Sequence, residues 1–462
     1  MWDFKQYNNN IAFIDEDGRK IRYDEIEEKA RMYICLMESK RNLVLLVSDN
    51  SMESVMIYVA CIQNRIPLML VDNNVSKEAL DRLLGLYCPN YIWYFGSNNV
   101  FDEYKLIKVF HNYQFYKRCN SLLKRNKIDK ELALLILTSG SIGGKKSVRI
   151  SYQNIEANMN SIAKSLCLSE NDTAMLMLPI SYCYGLSVVN SNLSVGATIL
   201  IPKSRFFERK FWLFFKNHNC SAICGVPYTY EVLKKMKFHR KTLPSLRLIT
   251  QAGGALGQNE QRYLLEYALE HKINLAIMYG QTEATARIST FFLNQHIEKL
   301  GSVGKVIPNG EIYIDYKNDT GVGEIIYVGK NVTQGYAESY RDLAKGDENN
   351  GILHTGDLGY IDSDGYLFIV GRIKRFSKIQ GKRISLDELQ QIISLKSGIV
   401  VYCIEKRGKI YVFLEGAGCT DTILDAMEEI HISRQFFEVI QLHKFPRESN
   451  EKISYRALLE NI

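Results

Sequence analysis

A chain of 462 residues exceeds what one ordinary core organises, so two or three folded units are expected. Its 46% hydrophobic and 24% charged residues match an average water-soluble globular protein, and no stretch approaches the roughly 18 apolar residues of a membrane span. The formal charge of +7 is modest, and basic and aromatic residues are not interleaved in any concentrated patch, which argues against nucleic-acid binding. The 10 cysteines are scattered, with only Cys220 and Cys224 close together, and the first ten residues lack the apolar core of a signal peptide. Reduced thiols in a cytoplasmic protein are the expectation, with no cysteine-built metal site.

In chain order, the apolar run 43–47 reads as a buried strand, and Ser48 to Ser51 supplies caps for a helix toward Gln63. The run 67–71 follows as another strand, which makes a parallel crossover unit. Run 132–137 is again a strand, and it empties into Thr138-Ser139-Gly140-Ser141-Ile142-Gly143-Gly144-Lys145-Lys146. The same rhythm returns at 174–178, in a helix from about Gly185, and at 197–201, 222–227 and 246–250. Run 275–278 leads into Tyr279-Gly280-Gln281-Thr282-Glu283. These repeats predict a large multi-layer α/β body with parallel sheets. After Gly301 the texture shifts to short strands at 311–315, 323–328 and 365–370, a small β-rich subdomain. A cationic stretch at 372–378 precedes a helix from Ser385, strands at 399–404 and 409–414 joined through Arg407-Gly408, and a helix near 422–429. The predicted division is an N-terminal domain, 1–370, and a compact α+β C-terminal domain, 371–462, with a hinge near Gly371-Arg372.

The loop at Thr138 has the composition that wraps polyphosphate. Its glycines let backbone N–H groups close on phosphate oxygens, and its hydroxyls and Lys146 add donors and charge. It is not the Walker pattern, because Lys145 stands where that pattern has its second glycine. In the second motif Tyr279 can cover a purine, Thr282 can meet a phosphate and Glu283 can hold Mg²⁺. Thr355-Gly356-Asp357 by itself reads as an Asx turn, whereas Asp357 together with Arg372 suits the hydroxyls of a ribose. Lys452, near the C-terminus, has no assigned role on its own.

Taken together and in this order, these segments resemble the adenylate-forming, AMP-binding superfamily of acyl-CoA synthetases, aryl-CoA ligases and adenylation domains. That family's phosphate loop is approached at 138–147, its Y-G-x-T-E is met at Tyr279 to Glu283, and its T-G-D at Thr355 to Asp357. Its G-R-x-[DK]-x-x-x-K-x-x-G-x-[RK] is met by Gly371, Arg372, Lys374, Lys378, Gly381 and Arg383, and its closing lysine by Lys452. Gly253-Gly254 fits a further intermediate feature. The resemblance implies that ATP and Mg²⁺ activate a carboxylic acid to acyl-AMP, which CoA or the phosphopantetheine of an acyl carrier protein then captures. It implies a nucleotide site of Thr138, Ser139, Gly140, Ser141, Gly143, Lys146, Gly253, Gly254, Tyr279, Gly280, Gln281, Asp357 and Arg372. It further implies catalytic roles for Thr282, Glu283 and Lys452, with the C-terminal domain as a mobile lid pivoting at Lys374.

The chain departs from that pattern at Ile142, where threonine is usual, at Lys145 and Ser147, and at Glu451, where glycine precedes the closing lysine. Tyr182 stands where many acyl-CoA ligases have histidine. Amino-acid-activating relatives place an aspartate near Ser181-Tyr182-Cys183, and this chain has no acid between Asp172 and Glu208. An acid without an α-ammonium group is therefore expected. The alternatives are transfer of the acyl group to an amine, and a nucleotide-binding relative without catalysis.

Overall fold

A computed structural model of the chain describes residues 1–38, 41–96, 101–119, 127–137, 146–315, 321–373, 375–379, 382–416, 420–429, 432–448 and 450–462. The chain divides into two compact units: 1–300 with 306–311 and 328–353, and 301–305 with 312–327 and 354–462.

The first unit is built on two large sheets. One runs, edge to edge, through Tyr336–Ala337, Ser147–Ser151, Leu132–Leu137, Leu68–Asp72, Val44–Ser48, Tyr91–Phe95, Tyr113–Arg118 and Tyr104–Phe110. The other is centred on the parallel strands Thr173–Met175, Ala222–Gly225, Leu248–Gln251 and Asn274–Tyr279, with Ser289–Phe292 added antiparallel beside the last. The strand Val44–Ser48 is buried along its whole length, as expected for a central parallel strand covered on both faces. Two helices, Met52–Gln63 and Cys183–Ser194, bury nearly their entire circumference. The first is apolar nearly all round, as suits a helix inside a protein, and the second buries Ser187, Ser191 and Asn192 by turning them onto its own carbonyls. Both join one apolar cluster that also takes Val44 and Leu68 from the first sheet and Ala174 and Ile199 from the second, so they fill the layer between.

Local chemistry sets the ends of these elements. Ser51 caps Met52–Gln63 by accepting from the Ser54 amide at 3.3 Å, and Ser151 caps Tyr152–Ser165 in a reciprocal box with Asn154. The run 174–178, expected as one strand, leaves the ladder after Met175. Asn50 takes the Leu178 carbonyl at 2.9 Å, and Pro179 has no amide to offer. The next helix starts at Cys183 and packs its first turn on that segment. A Cβ on Gly185 would lie 2.2 Å from the Pro179 oxygen, so only glycine fits there.

The second unit carries most of a four-stranded sheet ordered Gly310–Asp315, Gly323–Gly329, Ile352–Ile361, Leu367–Arg372. It also holds a three-stranded sheet with helices Leu386–Ser397 and Thr420–Glu429. Strands Val401–Lys406 and Lys409–Glu415 pair through Arg407 and Gly408, both at positive φ (54° and 77°), the backbone a tight two-residue hairpin requires. The parallel strand Phe437–Leu442 completes that sheet.

Candidate active site

In the first unit the site is built at the carboxyl ends of parallel strands, where open α/β sheets present their ligand crevices. Strand Asn274–Tyr279 ends there with Tyr279 buried, and the chain doubles back at once. A Cβ on Gly280 would lie 1.8 Å from the Ala286 oxygen, so glycine alone allows this close approach. Thr282–Ala284 form a single 3₁₀ turn, followed by Thr285 at φ 64°, ψ −54°. That is the conformation of a γ-turn, closed by the Ala286 amide on the Ala284 oxygen at 2.7 Å, and it is strained for a β-branched residue. Asn331 holds it in place. Its amide group donates to the Ala284 and Arg287 carbonyls at 2.9 Å, and its backbone carbonyl accepts from the Thr285 hydroxyl at 2.7 Å.

This turn presents Thr282 and Glu283. The Thr282 hydroxyl points at the Cys183 sulfur, 3.4 Å away, at the start of the central helix. The Glu283 carboxylate accepts the Tyr336 hydroxyl at 2.6 Å, and the Glu283 carbonyl accepts the Thr333 amide at 3.0 Å. Burial first, and then the Glu283 charge, hold the Tyr336 phenol protonated, with its pKa above the ordinary value. Tyr336 belongs to the edge of the other sheet, pairing with Val148, so its bond to Glu283 ties the two sheets together.

Lys146, the last residue of the phosphate-loop motif, lies 5.8 Å from the centre of the Tyr336 ring and 3.1 Å from the Glu338 carboxylate. Thr138, Ser139, Gly140, Ser141 and Gly143 lie outside the described residues, as does Lys374. The strand after the loop is anchored by Arg149, whose side chain is fully buried. Its guanidinium donates to the carbonyls of Gln334, Tyr336, Lys345 and Gly346 and pairs with Glu348. One side chain thus fixes Tyr336 against the end of the phosphate loop.

Gly253 and Gly254 follow strand Leu248–Gln251 at the same sheet edge, since Gln251 is in register with Ile277. Gly253 has φ 86°, and Gln251 steadies the turn by donating to the Gly254 carbonyl at 2.8 Å. Below the edge lies Arg287, 2% exposed, with its guanidinium carbon 5.2 Å from the centre of the Tyr184 ring. Burial pulls its pKa below the usual arginine value.

The remaining sequence candidates belong to the second unit. Asp357 and Arg372 are register partners on adjacent strands, and the Arg372 Nε donates to the buried Asp357 carboxylate at 3.0 Å. Thr355-Gly356-Asp357 is thus part of a strand, with Gly356 at φ 70°, rather than an isolated Asx turn. Lys452 sits in a tight turn where its carbonyl accepts the Glu448 amide at 2.8 Å. Glu451, where the related pattern has glycine, adopts φ 64°, the left-handed conformation that glycine takes without strain. The carboxyl that feels the Lys452 charge is Glu448. Burial pushes it up to about 7, against the pull of that lysine.

Of the sequence candidates, Lys146, Gly253, Gly254, Tyr279, Gly280, Gln281, Thr282 and Glu283 lie in the first unit. Sequence reasoning missed Tyr336, Arg149, Asn331 and Arg287. An arginine within the otherwise uncharged strand 147–151 was a readable signal for Arg149. Tyr336 offered only a glycine before it.

A sequence profile of the family described as AMP-binding enzyme matches residues 2–337. An oxalate–CoA ligase of Arabidopsis thaliana is 31% identical over 272 residues, covering 56% of this chain and about half (52%) of that protein. A 2-succinylbenzoate–CoA ligase of Bacillus cereus is 25% identical over an alignment of 480 positions, covering 96% of this chain and 94% of that one. Among solved structures, the fold resembles o-succinylbenzoate CoA synthetase from Bacillus subtilis with its acyl-adenylate intermediate, with TM-score 0.75, 21% identity and coverage of 98% and 97%. It also resembles ATP-bound MatB from Rhodopseudomonas palustris, with TM-score 0.76, 18% identity and coverage of 98% and 96%.

Proposed function

The chain belongs to the AMP-binding enzyme family, and from that premise we propose that it is an acid–thiol ligase that makes an acyl-CoA and releases AMP and pyrophosphate. In the first half-reaction a substrate carboxylate oxygen attacks the α-phosphorus of ATP, and the bond to the β-phosphate oxygen breaks to release pyrophosphate. In the second, the sulfur of CoA attacks the acyl carbonyl and AMP departs with the acyl–oxygen bonding pair. The named substrates of the relatives, oxalate and 2-succinylbenzoate, support a carboxylic acid and CoA as the reactants.

The observation that carries this reading is the contact chain Lys146–Tyr336–Glu283. It joins the end of a hydroxyl- and glycine-rich loop to the Tyr-Gly-Gln-Thr-Glu turn across two sheets. Loop amides and hydroxyls from Thr138 to Gly143, with Lys146, hold the β- and γ-phosphates. Tyr279 and Gly253-Gly254 border the base, Asp357 with Arg372 binds the ribose, and Thr282 donates to the α-phosphate. The donor set fits Mg²⁺. It provides one hard carboxylate, Glu283, beside hydroxyls, and no group of three or more His, Cys, Asp or Glu could cage an ion among the described residues. Magnesium characteristically takes one or two protein carboxylates and completes its shell with phosphates and water. When bound it neutralises charge on the phosphates. Lys452 supplies a preorganised cation to the α-phosphate in the first half-reaction.

Exchange of labelled pyrophosphate into ATP, driven by a panel of fatty, hydroxy, aryl, dicarboxylic and amino acids, tests the first half-reaction. Thioester formation with CoA or with a phosphopantetheinylated carrier protein tests the second. Acid-dependent exchange and an acyl-CoA product are expected. Exchange with no acid would overturn the ligase reading, and highest kcat/KM with an α-amino acid would overturn the reading of the pocket around Tyr182.

A further inference from the structure

Arg287 is a cation buried in the first unit's site with no carboxylate in contact with it among the described residues. Its side chain comes from the segment after Glu283, yet it points down rather than out. It lines a cavity of about 20 Å³ with Tyr184, Cys224, Thr250 and Met278, side chains from the body of the sheet and from the central helix. Its Nε and Nη1 are both buried and meet no hydrogen-bond acceptor among the described residues. The titratable groups that face it are Tyr184, Cys183, Cys224 and Tyr182, and burial raises the pKa of Tyr184, Cys224 and Tyr182. One carboxylate borders the cavity, that of Asp172, and it is already committed. Arg247 grips both of its oxygens, and Ser169 and Ser221 donate to it as well.

An arginine does not shed its proton in a protein, and a buried cation without a counter-charge carries a large desolvation cost. The Tyr184 ring face offsets a fraction of that. We propose that Arg287 is the receptor for a second anionic group on the substrate, so that the acid activated here is a dicarboxylic acid. One carboxylate reacts at the Thr282–Glu283 turn while the other is held by the guanidinium. The position of Arg287 requires this division of labour. It sits beneath the turn, with its Cα against Gly280, and its head lies among mid-strand side chains. A single carboxylate drawn down to it would be withdrawn from the phosphates. The cavity is close to the size of a single water, so seating the distal carboxylate requires Met278 and the neighbouring rings to give way.

The identity of the ligand rests on the ligase reading, and two assays separate them. In pyrophosphate exchange, malonate, succinate, glutarate and adipate are compared with propionate, butyrate, valerate and hexanoate, in which a methyl group replaces the distal carboxylate. Titration calorimetry of the nucleotide-free protein with the same acids needs no catalysis. The wild-type protein is expected to favour the best diacid over its matched monoacid by about 100-fold or more. Arg287→Met should collapse that ratio and weaken diacid binding by a similar factor, while Arg287→Lys, which keeps the charge, restores part of it. Diacid binding that depends on Arg287, with no exchange by any acid, would uphold this site and overturn the ligase reading. Equal or better use of the monoacid by the wild-type protein would overturn the proposal and leave the ligase standing. Diacid binding unchanged in Arg287→Met, or detected in neither assay, would identify Arg287 as a structural arginine satisfied by internal water.

Discussion

Lys452 and Glu448 form a pair whose charge states bear directly on function. Glu448 carries its proton up to about 7 in the folded protein, against an ordinary value of 4.5. Between those two pH values the unfolded chain has released a proton that the folded chain retains, so stability falls as pH rises through the window. Glu448→Gln removes the loss. Its melting temperature should match wild type below about pH 4.5 and exceed it increasingly toward pH 7. An equal difference at pH 4 and pH 8 would show that Glu448 titrates as a solvated acid. In the proposed reaction Lys452 acts where charge develops on the α-phosphate. Losing one such donor typically costs about 10²–10³ in rate. Lys452→Ala should therefore collapse pyrophosphate exchange while still converting supplied acyl-AMP to thioester. Equal loss of both half-reactions would remove Lys452 from its assigned role.

Among the elements, those legible in the sequence were the ones whose burial is continuous. The runs 43–47 and 67–71 appear as Val44–Ser48 and Leu68–Asp72 because a strand covered on both faces is apolar throughout. The hairpin at Arg407-Gly408 was legible because few sequences support two successive left-handed residues. What escaped was set by partners distant in sequence. Strand Tyr336–Ala337 is two residues long and exists because it pairs with Ser147 and Val148 and because Arg149 gathers the carbonyls on either side of it. Arg287 was illegible for a related reason, since no periodicity reveals that an arginine is buried without an acid. The Arg149 network makes a strong claim about the site's support. Arg149→Ala removes a donor from four carbonyls, of which that of Gln334 retains the Glu348 amide at 3.1 Å. Glu348 is half exposed and water can take over its charge, so the loss is that of hydrogen bonds to a charged donor, about 1.5–3 kcal/mol. Urea unfolding of the first unit should show a loss of that order, together with weaker ATP binding as Tyr336 is released. A loss below about 1 kcal/mol would mean that the strand pairing holds Tyr336 unaided.

At the scale of the molecule, the candidate groups are shared between two separately packed units. The first holds Lys146, Tyr279, Thr282, Glu283 and Arg287, and the second holds Asp357, Arg372 and Lys452. The segment 371–462, which carries Lys452, begins inside the second unit. The α-phosphate needs a cation only while acyl-AMP forms, whereas the thiol needs access to the same carbonyl afterwards. Rotation of the segment 371–462 between the steps would withdraw Lys452 and admit CoA, and Lys374 lies where that segment begins. A proline there fixes φ near −65° and removes the backbone N–H, which blocks rotation at this residue while leaving the remaining chemistry in place. Lys374→Pro should keep acid-dependent pyrophosphate exchange close to wild type and slow thioester formation from acyl-AMP by tenfold or more. Conformational steps of this kind limit turnover in many enzymes that close and reopen around an intermediate. Loss of both half-reactions together would mean that the substitution damages the fold of the second unit, a result circular dichroism would register. Overall turnover at the wild-type rate would show that Lys374 is not the pivot.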